Sequence, residues 1–406
     1  MFEISLFSAS LRHCGYCILH HFSIVTVKIY NINNTSTGKI TYLINILKNK
    51  CAALTQRTVT SGFDGFVDTI TKIIRDKPEQ KPAIFFKTIK EFGNYILEKE
   101  GTSFSLELQE QNIKLGGNMP IMANALAQFG INVNCIGALG YPQNHTVFKA
   151  FPKNCRFYSF ADPGTSTAFE FNDGKIMLAQ MGSLNNLGWN KIKDIVGIDT
   201  LINLYRESDL ISIVNWSEID ASTDIWKGIV KDVLPQYARP GKEQVAFFDL
   251  SDCSKRSNES ISEALLLLKE FEKYTKVILS LNKNEARYIF QVLYNKDAYD
   301  DLTSLGERIF EKLKIDVLLL HSSKESVAFN KEGRSFCKSF FINNPVISTG
   351  AGDNFNAGFC AAQLSELNLE LSLVFANSVA GFYVKNGISP RWTDVINFLE
   401  ETRRFL

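Results

Sequence analysis

Near the end of the chain, Pro345-Val346-Ile347-Ser348-Thr349-Gly350-Ala351-Gly352-Asp353 has the make-up of a phosphate-binding turn. Phe355, Phe359 and Ala362 then recur three to four apart, the spacing of one helix face, and Ala357, Gly358 and Ala361 permit close packing. The first amides of a helix have no acceptor inside it and point outward at the positive end of the helix dipole. Gly350, Ala351 and Gly352 would let a phosphate approach them closely. A carboxylate at the mouth of such a site is costly unless it has a task. For Asp353 that task would be to accept the proton of an attacking hydroxyl. A plain loop with a helix cap is the other meaning of these residues, because short glycine motifs are weak evidence alone.

Two further groups carry chemistry. Asn282-Lys283-Asn284-Glu285 follows the apolar run Val277–Leu281. An amide and a carboxylate one helical turn apart can hold Mg²⁺, directly or through water, against transferring phosphates. The same spacing makes a capping box, and the two meanings can coexist. Asp64 and Asp68 flank a glycine-containing turn after Arg57-Thr58-Val59-Thr60, and Leu115-Gly116-Gly117-Asn118 forms a second tight turn. These acids and amides suit the hydroxyls of a polar substrate, and solvent-facing turn acids are the alternative.

The elements that must position these residues alternate. Ile40–Ala53 has helical periodicity, Arg57–Ile70 is a first strand that breaks into its turn, and residues 81–101 are expected to be an outer helix. Phe104–Lys114 alternates apolar and polar residues and leads into the Gly116-Gly117 turn, which opens an apolar helix reaching Gly130. Ser166–Gln180 alternates around Asn172-Asp173-Gly174, a strong hairpin signal. These segments predict a small sheet set apart from the main body, a lid or a dimer surface with strands around residues 63–68, 104–114 and 166–180. Apolar strands at Ile131–Gly140, Leu210–Trp216, Gln244–Leu250, Val277–Leu281 and Val317–His321 alternate with helical stretches, the pattern of a doubly wound α/β fold with a mostly parallel sheet. The site of such a fold lies at the carboxyl ends of its strands, where these motifs fall. Lys255 and Arg256, after Asp249, form a basic pair suited to phosphate or to solvent.

The 406 residues, 45% hydrophobic and 21% charged, suffice for a sizeable core, and a net charge of +1 gives no pull toward nucleic acid or an anionic membrane. Eight scattered cysteines fit reduced thiols and a cytoplasmic protein. Cys14-Gly15-Tyr16-Cys17 followed by His20 and His21 has no matched second half, so incidental thiols are favoured over a metal site. Residues 1–39 differ from the rest and are expected to be a peripheral extension ahead of one domain at 40–406. Their apolar stretch Ile18–Tyr30 is too short and interrupted to span a bilayer.

Gly350-Ala351-Gly352-Asp353, read with the Gly116-Gly117 turn and the Asn-x-x-Glu element, resembles the signature of the ribokinase-like (PfkB) carbohydrate kinases from about residue 58 onward. The resemblance implies ATP- and Mg²⁺-dependent phosphorylation of a hydroxyl on a sugar or sugar-like substrate. It implies Asp353 as catalytic base, the amides of Gly350, Ala351 and Gly352 as an anion hole, and Glu285 with Asn282 at the metal. Asp64, Asp68, Gly116, Gly117 and Asn118 would bind substrate, and Asn282, Ser323, Asn377 and Gly381 would lie at the nucleotide. Asn377 and Gly381 could equally be packing choices. A homodimer through the lid also follows from the resemblance.

The chain departs from the family pattern in three places. The Thr-x-Gly-x-x-Gly turn is His321-Ser322-Ser323-Lys324-Glu325-Ser326, which removes both glycines. Ile347-Ser348 replaces the usual Asp-Thr, so activation by K⁺ is not expected. Ile121 replaces an Asn, which leaves its polar role to Asn118. Two alternatives stand beside a sugar kinase: a nucleoside kinase on the same fold, and a sugar- or nucleotide-binding protein that has lost turnover.

Overall fold

The computed structural model describes residues 36–237, 244–298 and 301–403; the Cys14–His21 cluster and the Ile18–Tyr30 stretch lie outside them. Nine strands form the main sheet, in the order Gly333–Lys338, Glu325–Asn330, Val317–His321, Lys276–Asn282, Val245–Asp249, Leu210–Ile213, Thr58–Phe63, Asn132–Gly137, Cys155–Ser159. All neighbours are parallel except the pairs that Glu325–Asn330 makes with Val317–His321 and with Gly333–Lys338.

The apolar runs are continuous because both faces of this sheet are covered. Ile211, Phe248, Leu279 and Leu320 enter one core, and Leu210, Phe247, Ile278 and Leu319 enter the other. Successive side chains on a strand point to opposite faces, so two cores require apolar residues at every position. The doubly wound α/β architecture expected from the sequence is the one observed.

A second, five-stranded sheet stands apart. Phe66–Asp76 is its central strand, parallel to Gly164–Phe171 and antiparallel to Leu108–Gly116, with Gly174–Gln180 and the short Ile84–Phe85 at its margins. The hairpin at Asn172-Asp173-Gly174 forms as predicted. Several bounds differ from the expected ones. Phe63 ends a main-sheet strand and Phe66 begins a lid strand, so the stretch around 63–68 belongs half to each sheet. The lid strand expected from Phe104 begins at Leu108. The outer helix is Ile89–Glu98 rather than residues 81–101, because Thr88 caps it and Ile84–Phe85 pairs with the lid. Phe92 of that helix packs edge-on against Phe86 and Phe169, giving the lid a small core of its own.

The first helix runs Ser36–Leu54, so it crosses the expected boundary at residue 39. It is fastened to the domain by Trp392, whose indole N–H donates to Leu47 O at 2.9 Å and whose ring packs on Phe129 and Phe375. Trp392 is 3% exposed. Removing it leaves a cavity and loses the indole hydrogen bond to Leu47 O, so Trp392→Ala is expected to cost about 3–5 kcal/mol of unfolding free energy. A denaturant titration measures this, and a loss well under 1 kcal/mol would mean that the first helix is not an integral layer.

Candidate active site

The chemistry-bearing residues converge at the carboxyl edge of the parallel strands. Asp64 ends the Thr58–Phe63 strand and is fully buried. It accepts from the backbone N–H of Asn118 and of Met119, both at 2.8 Å, and from Asn215 Nδ2 at 2.6 Å. The helix Asn118–Gln128 starts at Gly117, which has no side chain to cap it, and Asp64 supplies the missing acceptor from another strand. Gly117 adopts φ +91°, and a Cβ there would stand 2.5 Å from Asp64 Oδ2. Both Asp64 oxygens therefore hold the Gly116-Gly117 turn. Burial raises its pKa to about 6, against the lowering effect of those three donors.

Asp68 lies on the lid, facing Gly116. A Cβ on Gly116 would occupy the space of the Asp68 carboxyl group, so glycine there is a steric requirement. Ser166 Oγ donates to Asp68 Oδ1 at 2.6 Å. Lys114 is the cross-strand partner of Asp68 and shares its face of the lid. Asn118 opens the helix with a half-buried side chain that has no partner among the described residues.

Across the cleft, the helix Ala351–Leu364 begins at Gly350, with φ +89° and no side-chain cap. A Cβ at Gly350 would come within 2.8 Å of Tyr383 Oη, which donates to Thr349 O at 2.9 Å. The Ala351 amide turns back to Ser348 O at 3.1 Å, so it is not available to a phosphate as expected. The Gly350 and Gly352 amides have no protein acceptor among the described residues. Asp353 sits half-buried in this first turn. Its pKa is raised well above the usual range, by desolvation first and then by the charges of Asp249 and Asp64.

Asn282 and Glu285 form a complete capping box. Asn282 Oδ1 accepts from the amides of Asn284 and Glu285, and Glu285 Oε2 accepts from the Asn282 amide at 2.8 Å. Glu285 is buried, and its pKa is raised well above normal by that burial and by Asp249. Asp249 accepts from the Ser251 amide at 2.8 Å and from Asn356 Nδ2 at 2.6 Å, and burial takes its pKa to about 6. Among the described residues no three acids, histidines or cysteines stand close enough to hold a metal ion unaided. A divalent ion here would need water and substrate oxygens to complete its shell, which is the habit of Mg²⁺.

Five residues expected at phosphate or nucleotide have protein or solvent surroundings here. Lys255 pairs with Glu218, and Arg256 lies 3.5 Å from Asp220 and stacks over Trp216. Ser323 is exposed at a hairpin tip. Asn377 is buried with its amide saturated: Nδ2 donates to Ser326 Oγ and Leu373 O, and Oδ1 accepts from Ser339 Oγ. Gly381 admits the ring of Phe398, 3.1 Å from where its Cβ would stand. For Asn377 and Gly381 packing accounts for the residue type.

Sequence reasoning gave no role to three residues, although His321 opens the altered turn and Asn356 lies just past Asp353. Asn215 Oδ1 is buried without a partner beside Asp64, Asn356 holds Asp249, and His321 abuts the Gly352 turn. Asn215 and His321 each lie at or just past the end of an apolar strand, the signal that could have found them.

The sequence profile of the prokaryotic ketohexokinase family matches residues 42–402. A ketohexokinase of Haloferax volcanii is 26% identical over 84% of this chain and 90% of its own length. An Arabidopsis thaliana ribokinase solved with ribose and ATP superposes with a TM-score of 0.59 at 18% identity, over 85% of this chain and 98% of its own. An Escherichia coli protein described as a putative ribokinase II, solved with ATP and Mg²⁺, gives a TM-score of 0.57 at 13% identity, over 85% and 99%.

Asp353 yields a test that needs no turnover. A carboxyl group with a raised folded-state pKa binds its proton more tightly when folded, so its contribution favours folding at low pH and is lost as pH rises through that pKa. Asp353→Asn is therefore expected to raise the melting temperature of the metal-free protein near pH 7.5 by a few degrees, on the order of 1–4 °C, with the gain shrinking toward pH 5. A gain that grows on acidification would contradict the desolvated carboxylate.

Proposed function

The chain belongs to the prokaryotic ketohexokinase family, within the ribokinase-like (PfkB) carbohydrate kinases, and we propose that it transfers the γ-phosphoryl group of ATP to a hydroxyl of a ketohexose with Asp353 as general base. It is a phosphotransferase with an alcohol group as acceptor. The observation that carries the assignment of the base is a proton-avid carboxyl group, Asp353, in a helical first turn whose Gly350 and Gly352 amides have no acceptor. A carboxylate with a raised pKa accepts a hydroxyl proton more readily at neutral pH, and open amides beside it face the charge that builds on the transferring phosphoryl group.

Substrate hydroxyls fall to Asp68, Asn118 and the Gly116-Gly117 turn. Ser166 holds the Asp68 carboxylate through its one proton, and Asp64 holds the turn beneath. Glu285, with Asn282 and Asp249 beside it, offers oxygen donors and water-ordering groups for Mg²⁺. When bound, Mg²⁺ would neutralise phosphate charge that these carboxylates otherwise repel. The residues that hold each reactant lie on different bodies: the lid for the sugar, the main domain for the phosphates.

Turnover of ATP with Mg²⁺ against D-fructose, other ketohexoses, aldohexoses, ribose and nucleosides tests the assignment. A ketohexose is expected to have the highest kcat/KM, and Asp353→Ala is expected to lower kcat by about 100-fold or more. Highest activity on a nucleoside would move the acceptor class while keeping the mechanism. Saturable sugar binding without turnover would favour the binding protein.

Gly116→Ala isolates the sugar side. Displacing Asp68 is expected to raise KM for the sugar on the order of 10–100-fold, with KM for ATP little changed. Equal changes in both constants would mean that Asp68 does not face the sugar.

A further inference from the structure

Ala351 turns its amide back to Ser348 O, which leaves the open amides at the start of the Ala351–Leu364 helix to Gly350 and Gly352. These are held differently. Gly352 lies inside the first turn, and the helix itself directs its N–H. Gly350 precedes the helix with φ +89°, and a glycine there can turn its peptide plane at little cost. The helix does not decide which way the Gly350 N–H points.

A side chain from another helix does. Tyr383, on the Leu369–Asn386 helix and 7% exposed, donates its hydroxyl to Thr349 O at 2.9 Å. Thr349 O and the Gly350 N–H belong to one trans peptide, so they point in opposite directions within a single plane. Fastening the carbonyl therefore turns the amide away from the phenol, to a side where no acceptor among the described residues meets it. The same turn of the helix holds the approach to this peptide, because Val384 O accepts from Val346 N at 2.9 Å and from Ile347 N at 3.4 Å. A Cβ on Gly350 would stand 2.8 Å from Tyr383 Oη, so the phenol requires the glycine whose freedom it then restrains. Burial, and then the charges of Asp353 and Asp68, push the pKa of the phenol up, which keeps its hydroxyl a donor throughout the neutral range.

Resting on the assignment of the Gly350 and Gly352 amides to the transferring phosphoryl group, we propose that Tyr383 is a positioning residue for that transfer. By pinning Thr349 O it holds the Gly350 N–H in the direction that receives the developing charge. The role asks of it no contact with a reactant and no proton. An amide fixed before the reaction stabilises charge without having to reorganise as the charge appears. With Thr349 O released, the peptide plane is free to turn and the amide is misdirected for part of the time.

Two variants separate the hydroxyl from the ring: Tyr383→Phe removes the first, and Tyr383→Leu removes both. Partial loss of one preorganised donor predicts a kcat about 10–100-fold lower in Tyr383→Phe, with KM for ATP and for the ketohexose within about 3-fold. Tyr383→Leu is expected to fall to a similar kcat. ADP with Mg²⁺, aluminium fluoride and the sugar imitates the transferring group, and calorimetry should show its binding weakened in Tyr383→Phe by about the factor lost in kcat. Binding of ADP with Mg²⁺ alone should not change.

An unchanged kcat in Tyr383→Phe would overturn the role and leave the kinase assignment standing. So would a loss confined to Tyr383→Leu, which would mean that the bulk of the ring matters and its hydroxyl does not. Weakening of ADP and of the aluminium fluoride complex by the same factor would also overturn it, since the amide would then not be reserved for the transferring group. If the unaltered protein turned over no sugar, the kinase assignment itself would fall, and the proposal with it.

Discussion

Four buried or half-buried carboxyl groups, Asp64, Asp249, Glu285 and Asp353, crowd the carboxyl edge of the parallel sheet, and no lysine or arginine is among the groups that shift them. Desolvation raises all four pKa values, and nearby negative charge adds to it at Glu285, from Asp249, Asp252 and Asp353, and at Asp353, from Asp249 and Asp64. An arrangement this unfavourable persists only if surrounding groups hold it in place. Amide donors do so: Asn118, Met119 and Asn215 for Asp64, Ser251 and Asn356 for Asp249, Asn282 for Glu285. Carboxyl groups with pKa values displaced in this way are found more often at functional sites than in ordinary packing.

The two sheets divide the labour accordingly. The main sheet is apolar on both faces and rigid, and its strand ends carry the acids. The lid is anchored beside them by a chain that turns through only Asp64-Gly65 between the two sheets. Asp64 and Asp68 thus lie four residues apart yet belong to different bodies. Asp64 serves as a cap in the main domain, and Asp68 serves as a polar group on the lid. The glycines at 116 and 117 are required by these contacts, one by the Asp68 carboxyl group and the other by Asp64.

Much of this was legible beforehand. Unbroken apolar runs announced strands covered on both faces, and Asn172-Asp173-Gly174 announced the hairpin. The Gly350–Asp353 turn opens a helix and the Asn282–Glu285 spacing makes a capping box, as their composition suggested. The Asn282–Glu285 pair forms the cap in full, so both meanings of that spacing remain compatible. The lid helix came out shorter than expected because Thr88 caps it, and short-range polarity did not mark where Phe85 leaves a strand. The Cys155–Ser159 and Gly333–Lys338 strands escaped notice because edge strands are only partly apolar, and the Glu325–Asn330 strand between the second of them and the rest of the sheet was not read either, although its centre is buried.

By itself the sequence determined the fold class, most of the order of its elements and the position of its glycine turns, because periodicity and turn composition are local properties. Tertiary structure alone decided what each side chain is for. Lys255, Arg256 and Asn377 are of types that could bind phosphate, and distant partners such as Glu218, Asp220 and Ser326 engage them instead. Asn215 has no motif around it, Asn356 and His321 lie beside motifs that do not mark them, and all three come against the site because strands and a helix far apart in the chain bring them there. A hydrogen bond or a desolvated charge depends on which atoms lie within a few ångströms, and packing, not spacing along the chain, sets that.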